Sequence, residues 1–103
     1  MNFELCRTIA ADHPSLPGHF PDAPLVPGVV ILDEVRAALV QWRRDSQLTA
    51  IRIVKFLVPL KPDQPLTISL STSDHIEGEI DFCCRVHDQV IAEGRLELRC
   101  GQN

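Results

Sequence analysis

Leu16-Pro17-Gly18-His19-Phe20-Pro21-Asp22-Ala23-Pro24-Leu25-Val26-Pro27-Gly28-Val29-Val30-Ile31-Leu32-Asp33 crosses from a proline-rich loop into a helix, and that crossing organises the whole chain. Prolines at 14, 17, 21, 24 and 27 are too many for a helix interior or a central strand. Leu16, Phe20, Leu25 and Val26 give the segment apolar anchors, so residues 11–27 read as a fixed irregular loop rather than a linker. Long loops of this kind in small domains tend to carry function.

From Gly28 to about residue 45 the pattern turns helical. At about 100° per residue, Ile31, Leu32, Val35, Ala38, Leu39 and Trp42 share one broad apolar face. Glu34, Gln41 and Asp45 form one polar strip, and Arg36 and Arg43 another. Between the strips runs a second apolar stripe of Val29, Val30, Ala37 and Val40, so the helix is expected to be covered on two sides. Asp33 lies alone within that second stripe. A carboxylate there either hydrogen-bonds a neighbour or serves a site, where desolvation would keep it protonated and able to act as an acid. Glu34 reads as a solvated carboxylate. Gly28 opens the helix, where unpaired N–H groups and the positive dipole end suit an oxygen that gains negative charge. It also reads simply as a turn residue. His19, held between Pro17 and Pro21, is positioned well for a base, although a lone loop histidine is more often structural. His13, His75 and His87 take no role.

Outward from the helix, the rest reads as strands. Residues 3–10 form one before the loop. Residues 49–58 form a second with imperfect alternation, and 65–73, 79–87 and 90–99 alternate cleanly. His87-Asp88-Gln89 makes a tight hairpin connection between the last two. Strand, loop, helix and four more strands suit an α+β fold, an antiparallel sheet wrapped around one central helix.

The chain has 103 residues, 45% of them apolar and 23% charged, which fits one globular domain over 1–103. A formal net charge of −4 argues against a nucleic-acid partner. No apolar run approaches the roughly 20 residues needed to span a bilayer, and the N-terminus lacks a signal-peptide pattern, so a cytoplasmic location without membrane contact is expected. Cys6, Cys83, Cys84 and Cys100 form no CxxC pair; neither a metal site nor a disulfide framework is expected. Cys83 and Cys84 point to opposite faces of their strand.

Gly18-His19-Phe20-Pro21-Asp22-Ala23-Pro24-Leu25-Val26-Pro27-Gly28-Val29 resembles the GHFPxxPxxPGV signature of the 3-hydroxyacyl-[acyl carrier protein] dehydratases. In that family an acid follows the histidine by 14 positions, which here is Asp33. Ile53-Val54-Lys55-Phe56 with Pro59, Pro62 and Asp63 resembles the family's "KF…P…PGD", and Val90-Ile91-Ala92-Glu93-Gly94 its final "VVAEA" strand. The resemblance implies a hot-dog fold and dehydration of a 3-hydroxyacyl thioester to the trans-2-enoyl thioester, in fatty-acid or polyene-type biosynthesis. It implies no cofactor. His19 would remove the C2 proton, Asp33, directly or through a water, would protonate the leaving hydroxyl, and the Gly28 N–H would hold the thioester oxygen. Phe20, Pro27, Val29, Val30, Ala37 and Val40 would line the acyl chain. The site would lie across a dimer, formed with a second copy or with another hot-dog protein, and an acyl carrier protein would deliver the substrate. Arg36, Arg43, Arg44, Lys55 and Lys61 are the basic residues available to dock it. Asp22 stands where the family commonly has glycine, and Ala37 where it often has glutamine. The chain is similar to the compact dehydratases of polyene-pigment clusters. Alternatives of other kinds are a hot-dog acyl thioesterase and a non-catalytic hot-dog subunit or acyl-binding partner.

Overall fold

The helix begins directly after Pro27. Pro27 has extended dihedrals, φ −61° and ψ 147°, and its carbonyl accepts the N–H groups of Val30 (3.0 Å) and Ile31 (3.4 Å). In the computed structural model of this chain, which describes residues 2–9, 26–72 and 78–100, the elements are β1 (Asn2–Thr8), α1 (Gly28–Trp42), β2 (Ser46–Phe56), β3 (Pro65–Thr72), β4 (Glu79–Val86) and β5 (Gln89–Cys100). The helix stops at Trp42, three residues short of the expected end: the Arg43 N–H still donates to the Leu39 carbonyl at 2.7 Å, but Arg43 itself leaves helical geometry, with φ −134° and ψ 86°.

The strands make one antiparallel sheet in the order β1-β3-β4-β5-β2, with β1 and β2 at its edges. This is the α+β arrangement expected. β4 and β5 join through His87-Asp88, with Val86 opposite Gln89. His87 has φ 56°, the left-handed region that the first position of such a two-residue turn demands. Asp63 also takes a positive φ, 67°, in the turn after β2, where the Lys61 N–H donates to Gln64 Oε1 at 3.0 Å.

Alternation fixes which face of the sheet is buried. Leu66, Ile68 and Leu70 of β3, Ile80, Phe82, Cys84 and Val86 of β4, and Ala92 and Leu96 of β5 meet the helix side chains Val30, Ile31, Val35, Ala38 and Leu39 in one core. The broad apolar face read from the sequence is therefore the packed one. The expectation for the second stripe is corrected. Val30 is buried, but Val29 is 65% exposed, Val40 49%, and Asp33 and Ala37 are exposed as well. One sheet can cover only one side of one helix, so the other side remains open in a single chain. Glu34 is corrected too: it is half-buried, with its Oε1 3.5 Å from Arg7 Nε on β1.

Candidate active site

The N-terminus of α1 opens on an apolar groove. Its first residues are Pro27, which has no N–H, then Gly28 and Val29, whose N–H groups precede the first possible intrahelical acceptor. Among the described residues no side chain caps this end, and no acid lies in its first turn. The groove beside it has a volume of about 510 Å³ and is walled by Val26, Gly28, Val29 and Leu32 on one side and by Phe56 through Leu60 on the other. Its walls are tied by backbone bonds. The Val26 N–H donates to the Leu60 carbonyl at 2.8 Å, and the N–H groups of Leu57 (2.7 Å) and Val58 (3.2 Å) both donate to the Ile91 carbonyl. Phe56 lies directly over the helix end, so that a Cβ on Gly28 would come within 2.8 Å of the ring's Cζ. A larger residue there would have to displace the ring, so contact rather than backbone angle constrains this position. An oxygen reaching these N–H groups would meet a positive dipole end in apolar surroundings, which favours developing negative charge.

Asp33 is one helical turn beyond Val29 and on the same open face, exposed to solvent. Ala37 and Val40 continue that face toward the C-terminal end, and Val40 lines a separate hollow with Arg36 and Leu48. Val30 points into the core rather than the groove. Pro27 sits half-buried at the helix start. His19 and Phe20 lie outside the described residues, as do Asp22, His13 and His75. The sequence reading brings Gly28 and Val29 to the groove but misses its opposite wall, Phe56 to Leu60. The signal for that wall was the break in alternation before Pro59.

Other chemistry is sparse. Among the described residues, no three His, Cys, Asp or Glu side chains are placed to share a metal ion. Cys6, Cys83 and Cys84 are free; Cys84 is buried, and burial first, with Cys83 beside it, pushes its thiol up to about 12. A larger hollow of about 600 Å³ lies on the sheet face away from the helix, among Arg52, Glu79, Asp81 and Arg95. Arg52 and Arg95 there pair with Glu79 and Asp81, and the hollow opens on the sheet rather than at a helix terminus, so the smaller groove is the better candidate site. No helix is long and apolar enough to cross a membrane among the described residues.

Comparison with known proteins agrees with this geometry. Residues 1–95 match the model of a family described as ApeI-like, ApeI dehydratase. The 3-hydroxyacyl-[acyl-carrier-protein] dehydratase FabZ of Chlamydia trachomatis is 31% identical over 104 residues, an alignment covering 89% of this chain and 68% of that protein. Among solved structures, the dehydratase heterocomplex ApeI:P of Xenorhabdus doucetiae superposes with a TM-score of 0.82 at 25% identity, covering 96% of this chain and 87% of that one. The fluoroacetyl-CoA-specific thioesterase FlK superposes at 0.70 with 16% identity, covering 95% and 90%, a likeness of fold alone. With the helix-on-sheet fold shared across these hot-dog proteins and the family match spanning nearly its whole length, the chain belongs to the ApeI-like dehydratases.

Proposed function

We propose that the protein dehydrates a 3-hydroxyacyl thioester, carried on an acyl carrier protein, to the trans-2-enoyl thioester in fatty-acid or polyene-type biosynthesis. The observation that carries this reading is the uncapped Gly28 end of α1 opening on an apolar groove, with Asp33 a little over one turn further along. His19 takes the C2 proton, and the C–H electron pair forms the C2–C3 double bond. The C3–O bond breaks, and Asp33 gives the proton with which the hydroxyl departs as water. The Gly28 N–H holds the thioester oxygen while it carries charge. Proton exchange with solvent then resets His19 and Asp33.

The open helix face supports a site shared between two subunits. Val29, Asp33, Ala37 and Val40 on α1, with exposed Ile51, Ile53, Phe56 and Leu57 at the edge strand and just beyond, form a surface that a second hot-dog subunit would cover. Such cover would exclude water from Asp33 and bring His19 of one protomer to Asp33 of the other. Phe20, Pro27, Val29, Ala37 and Val40 would then border the acyl chain, with Val30 backing them from the core. Arg36, Arg44, Lys55 and Lys61 are exposed, and Arg43 stacks on the Trp42 ring at 4.6 Å, leaving a basic set for an acidic carrier protein. The test is incubation with 3-hydroxyacyl-carrier substrates, read by mass loss of one water. His19→Ala and Asp33→Asn should each abolish it; full activity in both would sink the reading.

A second reading is a non-catalytic subunit of a mixed dimer, favoured by the heterocomplex formed by the ApeI relative. Inactivity alone, with dehydration restored by a partner hot-dog protein and unaffected by Asp33→Asn, would support it. Release of free thiol instead of an enoyl product would mark a thioesterase.

A further inference from the structure

β2 pairs with β5 through two register shifts, one between Leu48 and Ala50 and one between Ile51 and Ile53, so Thr49 and Arg52 are each an extra residue. One extra residue reverses the face of everything beyond it, and a second restores it. Leu48 opposite Leu98, Val54 opposite Gly94 and Phe56 opposite Ala92 consequently all face the helix, while Lys55 faces away. If the bulge at Arg52 were lost, Lys55 would turn toward Gly28 and Phe56 would turn outward.

Both extra residues are tied to Glu97. Thr49 Oγ1 donates to the Glu97 carbonyl at 3.1 Å, and Arg52 Nη2 donates to Glu97 Oε2 at 2.8 Å. Arg52 Nε lies 3.8 Å from Oε2 of Glu79, a carboxylate only 7% exposed, whose Oε1 is 3.7 Å from Arg95 Nε. Arg95 Nε in turn donates to Asp81 at 2.9 Å. The strand opposite the bulge makes room for it. A Cβ on Gly94 would collide with the Ile53 carbonyl oxygen and stand 2.7 Å from the Phe82 ring.

We infer that the Arg52 bulge, clamped by Glu97 and Glu79 and admitted by Gly94, is the device that holds Phe56 over the Gly28 helix end, which makes Arg52, Glu97 and Gly94 positioning residues for the reaction. Its consequence for acyl binding rests on the proposed use of the groove beside Gly28; its consequence for Phe56 does not.

The two parts are tested together by replacing the four phenylalanines with 4-fluorophenylalanine and assigning the Phe56 ¹⁹F resonance through Phe56→Leu. Arg52→Ala and Gly94→Ala should move or broaden that resonance. In each, KM for the acyl substrate should rise about tenfold while kcat changes less than about threefold, since the reacting groups are untouched. Arg52→Lys, which keeps a cation for Glu97, should restore the resonance. Arg99→Ala, which removes an exposed arginine on β5, should do none of this. If either folded variant keeps the Phe56 resonance in place, or raises KM no more than Arg99→Ala, the positioning role is wrong. If the resonance moves but the unaltered protein dehydrates nothing, the fault lies in the proposed reaction and the bulge retains its structural role.

Discussion

Gly28 has two neighbours pressing on it, a helix that begins there and the Phe56 ring that covers it. An alanine Cβ would have to push the ring aside, and because Phe56 is half-exposed at the edge of the groove it has space to move. Gly28→Ala should therefore leave thermal stability within a few degrees, helped by about 1 kcal/mol of helix propensity. Its kcat/KM should fall by more than about tenfold as the methyl and displaced ring crowd the N–H groups, which a thermal melt and steady-state kinetics on one preparation would show. Cys84 allows a prediction in pH. Its folded thiol is pushed above the ordinary value of 9.0 to about 12, chiefly by burial, so the unfolded chain loses this proton first as pH rises. The contribution is whole below about pH 9 and is lost between there and about 12. Melting temperature should fall across that window, and fall less in Cys84→Val, which keeps the packing but has no proton to lose.

At the scale of elements, α1 has one face that holds the domain together and one that a lone chain leaves in water. Leu39 is fully buried among the sheet side chains, and Leu39→Ala should cost about 2–5 kcal/mol in denaturant unfolding. Val40, the next residue, is on the open face, and Val40→Ala should cost less than about 1 kcal/mol in the monomer. Periodicity in the sequence drew two apolar stripes and read both as covered, whereas only the first is packed and Val30 of the second turns into the core. Two apolar stripes look alike in a helical wheel, and only the position of the sheet distinguishes them. β2 shows the same limit. Its imperfect alternation was visible, but the two extra residues behind it were not, because a bulge is defined by the strand opposite.

At the scale of the whole molecule, the open helix face and the exposed apolar edge strand point to assembly with another hot-dog subunit. Val40→Asp places a charge on that face without touching the core. It should preserve the far-ultraviolet circular dichroism of the single chain, yield monomers by light scattering, and abolish dehydration. A dimeric, active Val40→Asp protein would place the shared surface elsewhere.

Sequence alone determined the order of elements, the α+β class and the helix that begins at Gly28, because each follows from local periodicity and from proline and glycine chemistry. It also picked out Asp33 as an acid among valines; the pairing with His19 comes only from the resemblance to the dehydratase signature and belongs to the proposed mechanism. Only the tertiary structure decided that Asp33 is exposed in its own chain, that Phe56 and Leu60 complete the groove, and that Glu97 ties down both extra residues of β2. Those facts depend on contacts between residues some 28 to 48 positions apart, and no pattern along the chain encodes which distant side chain the fold will bring near.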